Sequence, residues 1–205
     1  MLKNHLSTFV KSYWNYYLEL EEQFISTKKF VEFDSSNSTA YSLEYLKLFQ
    51  AVCSEIDVVA KMLAEEYDAS FVKVENKNIQ KWGYYLQSAY PYLETASVIF
   101  HAEYTILPWK NWKYETYLDK RKSLRYRLVQ GKATPFWWTA YNKVKHERTS
   151  HSTDGKANYT RANQKNLIYA LAALFILEQS YLDSIEEQAG ISYQKSKLFQ
   201  LLASA

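Results

Sequence analysis

The sequence predicts an all-α fold, an antiparallel bundle of about five to six helices with room for one small β-hairpin. Two observations carry that expectation. The 205 residues include only 4 Gly and 3 Pro, too few for the turns of an all-β chain. Long stretches also repeat apolar residues at threes and fours, the period of a helix with one buried face. No internal repeat and no shift in composition marks off a second unit, so residues 1–205 read as a single domain, long enough to bury one core.

The first helix is expected over 3–28. Leu6, Phe9, Val10, Tyr13, Tyr17, Leu20 and Phe24 form its stripe, while Trp14 and Tyr16 fall outside it. Lys28 and Lys29 close it with the charge that a helix C-terminus favours. Residues 29–34, with Phe30, Val31 and Phe33, suit a short extended piece, and 35–39 form a loop rich in N-cap residues. A second helix is expected over about 40–67, on a seam of Leu46, Phe49, Cys53, Ile56, Ala60, Leu63 and Tyr67. Asp57 and Lys61 stand one turn apart on its flank. They read either as a surface pair worth roughly a few tenths of a kcal/mol, or as a device by which Asp57 orients a polar group on a facing helix.

A third helix follows over about 79–90, with Trp82, Tyr85, Leu86 and Ala89 on its stripe and Pro91 at its end. Residues 97–107 are rich in β-branched and aromatic side chains and are the place for the hairpin. Residues 108–112 make a turn with two aromatic anchors, Trp109 and Trp112. Residues 114–129 read as a charged helix or irregular arm that Gly131 breaks. The run 149–160 is a polar loop with Asp154-Gly155 as its turn. The last long helix spans about 161–188, broadly apolar and central, with Gly190 as its C′ residue, and 191–203 suit a short amphipathic tail helix.

Cys53 is the one cysteine, so no intrachain disulfide forms, and an apolar face around it suits a small buried hydrophobe. The first residues lack the pattern of a signal peptide, and no run of about 18 apolar residues suggests a membrane span. These features point to a cytoplasmic protein with no membrane partner. The net charge of +3 is unevenly placed. Residues 1–109 hold 9 Lys/Arg against 14 Asp/Glu, residues 110–165 hold 14 against 4, and residues 166–205 hold 2 against 4. A basic segment inside an otherwise acidic chain is a footprint for phosphate or nucleic acid, or the partner of the acidic remainder of the fold.

The stretch 134–148 concentrates the chemistry. Thr134 suits an N-cap and Pro135 the first helical position. At helical spacing Trp137, Tyr141, Val144 and Arg148 share one stripe, and Trp138, Asn142, Lys145 and His146 share the next. A neutral imidazole accepts a proton near pH 7, an amide can fix its tautomer, and Lys and Arg stabilise an oxyanion or phosphate. The set suffices for metal-independent cleavage of a phosphodiester next to a ribose 2′-OH. A helix end carrying cations because the dipole favours them is the plainer alternative. His146, His151 and Asp154 match no zinc spacing, so no metal site is expected. Phosphate-loop, dinucleotide and nucleophile-elbow motifs are absent, and no cofactor is expected.

The run Tyr141-Asn142-Lys143-Val144-Lys145-His146 resembles the Arg-Asn-x-x-x-His signature of HEPN-like domains, helical bundles that include RNA-cleaving toxins and phage-defence effectors. The motif's place just before a final long apolar helix is similar too. The resemblance implies His146 as catalytic acid or base and Asn142 as the polar residue beside it; Tyr141, Trp138 and Asp57 are the supporting candidates around them. Tyr141 stands where an arginine is expected, and a tyrosine does not bind phosphate bidentately. Lys145 or Arg148 then supplies that charge, or the chain is a binding-only relative. The resemblance further implies RNA or another phosphate-bearing ligand, a homodimer, because the family's composite site forms where two subunits meet, and a partner antitoxin. Two other readings stay open. One is a non-catalytic helical interaction or dimerisation module with a degenerate site; the other is a small-molecule pocket lined by Tyr and Trp.

Overall fold

The computed structural model describes residues 2–101, 104–122, 124–130, 134–153, 155–189 and 192–202. Gly131, Asp154 and Gly190, read above as a break, part of a turn and a helix cap, lie outside them. Helix α1 (Leu2–Phe9) passes through a π-helical turn (Val10–Trp14) into α2 (Asn15–Ser26). A π turn shifts the phase of the helix that follows it. Trp14, off the predicted stripe, is thereby fully buried, while Tyr16 stays exposed. Helix α3 (Leu43–Tyr67) begins where the Ser42 hydroxyl accepts the Tyr45 N–H at 3.0 Å. Helix α4 (Ile79–Ala89) begins at Asn78, whose side chain accepts the N–H groups of Gln80 and Lys81.

The all-α expectation is overturned. The fold is mostly helical but mixed, because five strands form among the described residues. β1 (Ser97–Phe100) and β2 (Tyr104–Ile106) make the expected hairpin, with Val98 opposite Ile106. β3 (Lys113–Leu118) and β4 (Leu124–Gln130) pair antiparallel where a charged helix or arm was expected. The period there is two, not 3.6: register sets Tyr114, Thr116 and Leu118 opposite Leu128, Tyr126 and Leu124, and Lys113, Glu115, Arg125 and Arg127 fall at the alternate positions. The density of Lys and Arg hides that alternation.

Helix α5 (Phe136–His146) and helix α6 (Gln164–Ala189) follow. Strand β5 (Phe199–Leu202) then replaces the expected tail helix and completes the sheet β2-β1-β5, pairing Val98 with Leu201. Its approach is fixed by α2. The buried Glu21 carboxylate accepts the Tyr17 hydroxyl at 2.6 Å, the Lys197 N–H at 2.8 Å and the Ser196 hydroxyl. The Trp14 indole donates to the Gln194 carbonyl at 2.7 Å. These bonds hold the segment extended before it reaches β1. Residues 29–34 form no strand either; Phe33 instead turns inward and stacks on Phe24 with ring centroids 4.5 Å apart.

The core lies between α3 and α6, with α1 and α2 on one flank and α5 on the other. Helix α6 is buried almost all round from Asn166 to Leu182. Its stretch Gln164–Ile185 is apolar and long enough to cross a membrane, which the sequence reading did not anticipate; 83% of it is covered by the rest of the protein, as a core helix is.

One buried group stands out. Glu178 on α6 is 0% exposed, and among the described residues neither carboxylate oxygen has a hydrogen-bond partner. Burial first, and the nearby Glu55 carboxylate second, push its pKa well above the ordinary range. The folded state therefore holds this proton more tightly than the unfolded chain. Stability from the group is complete below the unfolded pKa of about 4.3 and is lost as pH rises through the folded value, by up to about 1.4 kcal/mol per pH unit. Glu178→Gln should remove that slope, so that the variant melts higher than the parent above neutral pH. Parallel pH–melting curves for the two proteins would contradict the assignment.

Candidate functional site

Helix α5 starts one residue later than expected. Pro135, at φ −54° and ψ 150°, is the capping residue rather than the first helical one, and no side chain caps the helix. Thr134, expected at the cap, instead places its hydroxyl 2.7 Å from that of Thr139. The aromatic first turn is set into a cluster of five indoles. Trp109 and Trp112 stack at 4.8 Å. Trp82 of α4 meets Trp112 edge-on at 5.6 Å and Trp138 at 5.7 Å, and Trp137 meets Trp109 at 5.3 Å. The Trp137 indole donates to the Pro108 carbonyl at 2.9 Å. Gln87 ties the turn to α4, donating to the Trp112 carbonyl and accepting the Tyr114 N–H at 2.8 Å.

Beside this cluster α3, α4 and α5 enclose a pocket of about 470 Å³. Asp57, Trp138, Tyr141, Asn142 and Lys145 all line it, so five of the predicted site residues converge. Asp57 satisfies both of its expected roles. It pairs with Lys61 on its own helix, and it accepts the Trp82 indole N–H from the facing helix at 3.1 Å. Tyr141 packs on Trp138 at 5.2 Å and meets Phe49 edge-on at 6.2 Å. Burial, with smaller contributions from Cys53 and Asp57, pushes its phenol up to about 12, so at physiological pH it is a neutral donor. The Lys145 ammonium lies 5.5 Å from the Tyr141 ring centroid.

His146 and Arg148 are placed differently. His146 is the exposed last residue of α5 and does not line the pocket, and among the described residues no hydrogen bond joins it to Asn142. Arg148 lies beyond the helix in an exposed turn, where its carbonyl accepts the Tyr159 N–H at 3.2 Å. The sequence reading missed the α4 side of the pocket. Lys77, paired with Glu65, and Asn78 both line it. Asn78 had a signal, since an asparagine directly before an apolar stripe marks a helix start. Among the described residues no group of three or more His, Cys, Asp or Glu is arranged to hold a metal ion. Compared with protein-family models, with curated proteins and with solved structures, the chain matches none.

The cluster depends on Gly83. A Cβ at that position would stand 2.4 and 2.6 Å from two ring carbons of Trp112. The ring cannot give way, being stacked on Trp109 and tied through its indole N–H to the Tyr114 hydroxyl at 2.8 Å. Overpacking of this kind costs about 1–3 kcal/mol, while alanine gains about 1 kcal/mol in helix propensity. Because the clash is with a fixed ring, Gly83→Ala should lower the denaturant midpoint and quench the shared indole environment differently. An unchanged or raised midpoint would show that Trp112 is not held as described.

Proposed function

We propose that the pocket between α3, α4 and α5 binds a phosphate-bearing ligand, with RNA as its class, and that the protein acts in the manner of a HEPN-like domain. What supports the reading is the convergence of Lys145 and Asn142 with Trp138 and Tyr141 on one pocket, while His146, one turn further on, faces solvent. Lys145 supplies charge to a phosphate, and Tyr141 and Asn142 supply neutral polar groups. Asp57 does not repel the anion strongly, because Lys61 neutralises it. His146 is the group for general acid–base cleavage of a strand laid across the lip of the pocket, and a second copy of the chain in a homodimer would bring a second imidazole to the same strand. A cytoplasmic setting and a partner antitoxin belong to the same reading.

The second reading, a binding or dimerisation module without catalysis, draws on the missing bond between Asn142 and His146 and on Tyr141 in place of the motif arginine. Incubation with total RNA in EDTA separates the two. The first reading expects cleavage by the parent and none by His146→Ala, with both proteins folded and RNA binding that weakens steeply with salt. Equal cleavage by the variant would remove His146 from the chemistry. Salt-dependent binding without cleavage would leave the binding module.

A further inference from the structure

A second pocket, of about 610 Å³, lies beyond α5, between the loop that follows it and Tyr41. It is built rather than loose. The turn closes through Gly155, at φ +78°, whose N–H bonds the Ser152 carbonyl at 2.9 Å. His151 and Ala157 pair as an isolated β-bridge. Asn158, 2% exposed, is the keystone. Its side chain donates to the Glu147 carbonyl at 2.9 Å, its N–H bonds the Ser150 carbonyl at 2.9 Å, and its side-chain oxygen accepts Nε of Arg161 at 3.1 Å. The Arg161 guanidinium is thus oriented by Asn158, and Arg161 is among the residues that line the pocket.

The wall combines two chemistries. Tyr41 and Tyr159 meet edge-on with centroids 5.6 Å apart, and they are 51% and 42% exposed, unusual for rings held in a fixed mutual geometry. Tyr41 is anchored by a bridge to Asn163. His151, Lys156 and Arg161 line the same space, and none of the described lining residues is acidic. The first N–H groups of α6 play no part in binding an anion here, since Gln164 and Lys165 donate to the carbonyls of Ala40 and Ser38. Recognition rests on side chains: exposed rings offer a stacking face, and a fixed guanidinium offers paired donors to a phosphate.

We infer that this pocket binds a nucleotide, its base against Tyr159 and Tyr41 and its phosphate on Arg161 with His151. The site is separate from the α5 pocket and does not depend on cleavage. The nucleotide comes either free or as one unit of a single strand, and titration calorimetry with adenosine monophosphate and with a short adenosine oligoribonucleotide distinguishes the two. Tyr159→Ala, at an exposed ring, should weaken the bound probe on the order of tenfold, and His151→Ala should weaken it in the same arm. Binding of the mononucleotide with that loss identifies a free nucleotide; binding of the oligonucleotide alone with that loss identifies a strand. Lys145→Ala is measured in parallel: a probe lost with Lys145 but held by Tyr159→Ala belongs to the α5 pocket and overturns the inference. Failure of both probes to bind the parent, or binding indifferent to both loop variants, overturns it as well.

Discussion

The indole of Trp82 is the joint on which the α5 side of the molecule depends. Its ring is fully buried, its faces and edges meet Trp109, Trp112 and Trp138, and its N–H reaches across to Asp57 on α3. One side chain thus links α3, α4, α5 and the turn before β3. Large aromatic contact fixes the spacing of these elements, and the hydrogen bond fixes the rotation of α3 against α4. The polar pocket exists because its aromatic wall is too well packed to collapse into it. Lys145 and Asn142 lie on the one stripe of α5 that this packing leaves facing the opening.

The opposite flank is organised by a different constraint. Glu21 is buried yet satisfied, and its carboxylate collects donors from Tyr17, Ser196 and Lys197 to draw the C-terminal segment against α2. Glu178 is buried and lacks such donors among the described residues. A buried carboxyl with partners locks a chain segment in place; one without partners has its pKa pushed up and adds a pH-dependent load. The two glutamates show how the same residue type serves the fold at one position and strains it at another.

Much of the helical layout was legible. The seam of α3 from Phe49 to Leu63, though not the exposed Tyr67 expected to close it, the start of α4 near Asn78 and the breadth of the apolar surface on α6 follow from period and composition alone. The hairpin at 97–107 was legible because Val98, Ile99, Thr105 and Ile106 cluster there with a single charged residue, Glu103, among them. What was not legible has physical causes. The alternation in 113–130 is carried by Tyr, Thr and Leu with Lys113, Glu115, Arg125 and Arg127 among the positions between them, and local charge outweighs it. β5 is extended because Glu21, some 175 positions away, holds Lys197 and Ser196, and no local pattern encodes a tertiary restraint. In the candidate site, helical spacing rightly joined Trp138, Asn142 and Lys145. It placed His146 on the same stripe, yet the pocket wall ends at Lys145 and the final residue of α5 is exposed beyond it, and Arg148 lies past the helix, where helical spacing no longer applies.

The central claim is that a phosphate-bearing strand enters the pocket walled by the indole cluster. The six indole N–H groups report on it directly by heteronuclear NMR during titration with a short single-stranded oligoribonucleotide. The account predicts that the Trp138 and Trp82 resonances move with one saturable profile, while Trp14, bonded to Gln194 on the far flank, stays in place. Saturable binding that leaves Trp82 and Trp138 unmoved would contradict it and place the ligand elsewhere on the protein.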